Sequence, residues 1–214
     1  MRSAARPLGL ALALLTLPAM TQVTKPTAET STKPHARARE SAAPELGSIA
    51  DGVYRNSSLN LSYKIRFGWV DRTSGMREGS ELGRSVVLLS VFERPPEAQA
   101  EGINPAVVIA AESVSSYPGL KTAADYFGPI SELAISKGFK VANAPYEFSV
   151  GAQRLVRADF VKAKDAGAVQ QTSLVLVEKN WIVSFTFLGT SDDEMDELLS
   201  RLSFGSPPAS RSLK

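Results

Sequence analysis

Carboxylates are the main groups left to do chemistry in this chain, which has one histidine, His35, and no cysteine. His35 stands in a stretch dominated by Thr, Ala, Pro and Ser, away from any segment able to build a core. No Ser-His-Asp, Cys-His or histidine–metal arrangement is therefore expected in the folded body. Gly-x-Gly, Gly-Lys and Ser-x-x-Lys are all missing, which removes the dinucleotide fingerprint, the P-loop and one class of serine acyl enzyme. Two carboxylate arrangements stay open. Asp192, Asp193, Glu194, Asp196 and Glu197 crowd one short segment with the oxygen chemistry a hard cation such as Ca2+ takes. Acids in the first turn of a helix also complement its dipole and cap free amides, a purely structural use. Glycoside hydrolysis needs two carboxyl groups facing each other across a cleft. Asp159 and Glu112 are the candidates, and nothing around either marks it. No catalytic residue, cofactor ligand or metal ligand is assigned, and no cofactor is expected.

A second grouping could make contacts rather than break bonds. Lys64, Arg66, Arg72, Arg77 and Arg84 surround Trp69, and arginine and tryptophan are favoured at interface hot spots. Asp71, Glu78 and Glu81 lie among them, so a solvated, self-neutralising loop is the structural alternative. Trp69, Arg72, Arg77 and Arg84 are taken as the candidate interaction loop. The Pro-rich stretch 95–105 is its companion, because functional loops tend to be long segments carried by rigid strands.

Charge divides unevenly along the chain. Of 24 Lys and Arg, six precede residue 49 and two follow residue 206; only three of the 22 acids lie in those ends. The middle therefore holds 16 basic and 19 acidic residues, and the basic pI comes from the termini. A nucleic-acid footprint would need a basic face, so no nucleic-acid partner is expected. Arg2 and Arg6 precede an apolar run from Leu8 to Met20 that Pro18 and Thr21-Gln22 bring to an end. A positive start followed by a run shorter than the roughly 20 residues of a membrane span matches a secretory signal. The organisation expected is a signal at 1–21, a disordered tether at 22–48, a domain at 49–206 and a flexible tail at 207–214. The tether has too few large apolar residues to offset the entropy of ordering. The protein is expected to be exported, periplasmic or extracellular in a bacterium, touching a membrane only through an uncleaved N-terminus.

The elements that must position these residues are better marked than the chemistry. Leu174-Val175-Leu176-Val177 is apolar at every position, as a strand covered on both faces would be. Trp181, Val183, Phe185 and Phe187 alternate with Ile182, Ser184, Thr186 and Leu188 on a partner strand. Ser191 and Glu194 open a helix whose apolar stripe is Met195, Leu198, Leu199 and Leu202. A second helix is expected over 121–137, with Thr122 and Asp125 at its start and Gly138 at its end. Its stripe is Leu120, Ala124, Phe127, Ile130, Leu133 and Ala134, and Pro129 kinks it or splits it in two. A first hairpin over 52–65, strands at 86–92 and 106–114, and a meander over 139–177 complete the set. Strands in runs with two separated helices give an α+β class: a largely antiparallel β-sheet with helices packed on its faces.

Tyr54-x-Asn56, followed by Leu59-x-Leu61-x-Tyr63-x-Ile65-x-Phe67-Gly68-Trp69, resembles the opening of the PsbP-like superfamily, and the order of later elements is similar. The chain looks most like the small exported bacterial members similar to DcrB, over about 49–204. Arg66 and Phe67 stand where the family typically has a proline. The resemblance implies an antiparallel α-β-α sandwich used for binding or as an accessory module. The superfamily has no common catalytic set to carry over. The expectation is an exported, non-catalytic accessory protein of the cell envelope whose partner is another envelope protein. A carrier of a small ligand held between sheet and helix is the alternative, and a carboxylate-based hydrolase a third.

Overall fold

The computed structural model describes residues 44–78, 85–97, 103–164 and 167–205. The expected signal, nearly all of the tether, the tail and Arg84 lie outside the described residues. Strands β1 (Ser48–Ala50), β2 (Val53–Asn56) and β3 (Leu61–Lys64) form a small antiparallel sheet that β11 (Leu202–Phe204) completes in the order β1-β2-β3-β11. A larger sheet is built from β4 (Val70–Asp71), β5 (Ser85–Phe92), β6 (Ala106–Ser113), β7 (Lys140–Val150), β8 (Gln153–Lys164), β9 (Gly167–Glu178) and β10 (Trp181–Gly189). Its order is β4-β5-β6-β10-β9-β8-β7, and every pairing is antiparallel. Among the described residues three α-helices accompany the sheets: α1 (Thr73–Glu78), α2 (Phe127–Ser136) and α3 (Asp192–Ser200). The α+β class with helices on both faces is what the structure has.

The register explains why the stretch 174–177 is apolar throughout. Leu174 and Leu176 lie opposite Phe185 and Val183 and face one core; Val175 opposes Ser184, and with Ile182 it faces the other. The first core is roofed by Tyr54, Leu61 and Tyr63 of the small sheet and by Met195, Leu198 and Leu199 of α3. The second is closed by Tyr126, Phe127 and Ala134 over Ala158, Phe160, Val175 and Ile182. One sheet face is thus covered by a helix and a second sheet, an arrangement the short strands β1 and β11 did not signal. Lys64 N donates to the Arg201 carbonyl and Gly205 N to that of Asn60, which fastens residues 201–205 along β3.

Helix α2 forms only after a break. A 3-10 turn at Ala123–Tyr126 comes first, and α2 starts at Phe127, so Pro129 falls in its first turn, where no amide hydrogen is needed. The break turns Tyr126 inward and leaves Ala124 exposed, correcting the expected stripe. Asp125 accepts from the amides of Lys121 and Thr122, at 2.9 and 2.8 Å, and caps the turn as expected. Gly138 has φ +86° and ends α2 in a left-handed conformation open to glycine. At the start of α3, Ser191 accepts from Glu194 N, while Glu194 reaches back to Thr190 instead of Ser191. Strand β7 is an outer strand, bulged between Val141 and Tyr146 around Pro145, which suits an edge that must not recruit another strand.

Candidate functional site

The residues expected to form one interaction loop meet different fates. Arg77 is turned into the protein: its Nε donates to the Val87 carbonyl at 2.6 Å and its Nη2 to the Leu88 carbonyl at 3.0 Å. Those two carbonyls flank the irregular step where β5 loses register against β6, so Arg77 satisfies backbone that the ladder leaves over. Arg72 pairs with Glu97, an exposed ion pair that links the loop before α1 to the Pro-rich loop. The two described ends of that second stretch are joined by Asn104, which accepts from Arg94 N at 3.0 Å and donates to the Arg94 carbonyl at 2.9 Å. Trp69 is half-buried against the first core. The structure therefore brings the two loops together through Arg72, but it assigns Arg77 to the fold.

The residue left outside is Phe67. Trp69 N bonds back to the Arg66 carbonyl at 3.2 Å, closing a tight turn in which Gly68 has φ +83°. The turn throws the Phe67 ring wholly into solvent, with 103% relative exposure. Beside it runs a groove of about 540 Å3 whose apolar lining is Ile49, Ile65, Phe67 and Trp69. Of the cations lining this groove, Arg66 and Arg201 are engaged, whereas Lys64 makes no ion pair among the described residues. Arg66 reaches Glu194 at 3.6 Å and Glu197 at 3.3 Å, and Arg201 reaches Glu197 at 2.7 Å. The Arg201 hydrogen bond, with the charges of Arg66 and Arg201, holds the Glu197 carboxyl below its usual value. The groove thus sets an apolar strip between the closed Arg66 and Arg201 pairs and the charges of Lys64, Asp51 and Asp71. Strand alternation from Leu59 onward puts Phe67 on the inward side; only Gly68 announces the turn that reverses it.

Neither carboxylate arrangement converges. Asp159 opposes Thr172, on the face shared by Leu174 and Leu176, whereas Glu112 opposes Ile182, on the opposite face. A full sheet thickness separates the two, so they cannot flank one glycosidic bond. Asp159 is buried at 9% exposure and takes four donors: Thr172 Oγ1 at 2.6 Å, Arg157 Nε at 2.9 Å, Tyr146 OH at 3.0 Å and Asn143 Nδ2 at 3.1 Å. Burial pushes its carboxyl up, but the Thr172 and Arg157 hydrogen bonds and the arginine charge outweigh this and hold it below the ordinary value. Glu112 accepts from Tyr117 and, at 2.6 Å, from Tyr126; the two rings meet edge to face at 5.0 Å. Burial and the Glu112 carboxylate push the Tyr117 hydroxyl up to about 12, and the same causes raise Tyr126. Among the acids of the α3 segment, Glu194 caps the helix and Glu197 holds arginines. No cluster of three or more potential metal ligands occurs among the described residues. No helix among them is long and apolar enough to cross a membrane.

No protein-family model matches the sequence, and no curated protein matches it. Solved structures do. The chain is similar to a cyanobacterial PsbP, CyanoP from Synechocystis, at 12% identity and a TM-score of 0.48, over 74% of this chain and 98% of that one. It is also similar to LpqN of Mycobacterium tuberculosis, described as involved in cell envelope biogenesis, at 12% identity and a TM-score of 0.36. That match covers 68% of this chain and 83% of the other.

Proposed function

We propose that this chain is an exported, non-catalytic binding or accessory protein of the cell envelope, and that it acts by docking onto another envelope protein. The observation that carries the reading is Phe67, a fully exposed aromatic ring on a tight turn beside an apolar groove. Leaving a phenylalanine in water forgoes roughly 1.5–3 kcal/mol of burial. Aromatic anchors of this kind, ringed by contacts that exclude water, carry much of the energy of protein interfaces. The Arg66 and Arg201 pairs are closed on α3, so recognition rests on shape and apolar contact, with Lys64 and Asp51 as the charges at the margin. The inventory of groups supports a role without catalysis: the best-placed carboxylates are saturated or lie on opposite sheet faces. Arg2, Arg6 and the run from Leu8 to Met20 support export.

Crosslinking in intact cells, with the wild-type chain and a Phe67→Glu variant side by side, tests the docking surface. The wild type should yield a discrete protein partner and the variant should lose it at unchanged Tm. Equal recovery from both, or no product from either, contradicts the reading. Export is tested separately by the mass of protein purified from its source, which should lack about the first 20 residues.

A further inference from the structure

Between α3 and strands β7 to β9 lies a cleft of about 480 Å3, within the size range of small-molecule sites. Its sheet wall carries Arg157. The Phe148 and Tyr146 rings lie 5.1 and 5.8 Å from this guanidinium, and its Nε is fixed on Asp159 at 2.9 Å. Asp159 already has its four donors, so it orients Arg157 and has no capacity left for a ligand. The arginine is 17% exposed, and among the described residues nothing accepts from its Nη1 or Nη2. Holding the β7–β9 strands together does not require this. Asn143, Tyr146 and Thr172 bond the carboxylate from two neighbouring strands, and Arg157 reaches it through Nε alone, so the Nη edge is left over.

The opposite wall is anionic. Asp192 and Asp196 line the cleft four residues apart on α3, where like charges repel. Asp192 is in the first turn and accepts from Gln170 Nε2 at 2.8 Å; Asp196 lies a turn further on and makes no hydrogen bond or ion pair among the described residues. A bare anion reaching Arg157 would face this pair, and a bare cation would leave the guanidinium edge unmatched. We infer that the cleft binds a small zwitterion, its carboxylate across the Nη edge of Arg157 and its ammonium held by Asp192 and Asp196. Bidentate arginine–carboxylate geometry sets the orientation, and the preformed clamp of Asp159 and two rings spares the ligand the cost of ordering it. The inference does not depend on docking at Phe67, which lies outside this cleft.

Isothermal titration of the full chain with β-alanine, γ-aminobutyrate, 5-aminovalerate and 6-aminohexanoate tests it, with butyrate and butylammonium as single-ended controls. At least one of the four should bind saturably, and about tenfold more tightly than either control. Asp196→Asn, at an exposed position, should weaken that binding about tenfold, or about 1.4 kcal/mol, at unchanged Tm. Arg157→Lys keeps the charge but loses the planar fork, and should weaken it at least as much. Absence of saturable binding by all four up to about 10 mM overturns the proposal. So does equal binding of a single-ended control, or an Asp196→Asn variant with undiminished affinity.

Discussion

Replacing Arg77 separates a fold residue from a contact residue. Arg77→Ala removes the Nε and Nη2 donors from the Val87 and Leu88 carbonyls at the β5 irregularity, and with them a weaker reach to the Leu46 carbonyl at 3.4 Å. A hydrogen bond to a charged group contributes about 1.5–3 kcal/mol. Water can reach this half-buried position and repair part of the loss, which brings the expected cost to about 2 kcal/mol for the set. For a domain of this size that corresponds to a Tm lower by about 5 °C. Arg72→Ala breaks only the exposed pair with Glu97 and should cost under about 0.5 kcal/mol. Urea denaturation of the two variants and the wild type, followed by tryptophan fluorescence, gives the comparison. An Arg77→Ala midpoint no lower than that of Arg72→Ala would refute the assignment of Arg77 to the backbone, and would return it to the surface alongside Arg72.

Other perturbations follow from the same structure. Leu198, with 0% exposure under α3, should cost roughly 3 kcal/mol as Leu198→Ala, measured by the same urea titration. Asp159 titrates below its ordinary 3.8 when folded, so the stability its charge supplies is full above that pH and is lost as pH falls through the lower folded value. Asp159→Asn weakens hydrogen bonds to a charged group and should cost about 2 kcal/mol at pH 7, and the gap to wild type should narrow below pH 4 in acid denaturation curves. Tyr117 titrates upward, from 10.0 to about 12, so its contribution is full below pH 10 and is lost as pH rises toward 12. Tyr117→Phe should flatten that alkaline decline in denaturation midpoints taken between pH 9 and 11.

The parts of the fold legible in the sequence are those whose signal is local. The apolar run 174–177, the alternation 181–188 and Ser191 with Glu194 sit in one segment, and their meaning does not depend on distant partners. Pro129 announced a break in the helix but not its place, because the 3-10 turn that moves Tyr126 inward is set by the sheet beneath it. Strand β11 pairs with β3 from the far end of the chain, the Ser62 and Ser203 hydroxyls 2.8 Å apart, and no periodicity reports a pairing of that separation. The expectation of an interaction loop rested on composition alone. Composition cannot say that Arg77 faces orphaned carbonyls, since the irregularity in β5 arises from its pairing with β6. Phe67 followed the inward alternation of its strand, and the single residue that overturns it, Gly68, acts through a positive φ.

The most direct measurement is a photo-crosslinking residue at position 67, with one at Ile135, exposed on α2, as the control. After irradiation of intact cells, a docking protein should give one discrete adduct from position 67 and none from position 135. The adduct's mass identifies what lies against the ring. Adducts from both positions alike, or from neither, would contradict a protein that works by presenting this turn to a partner.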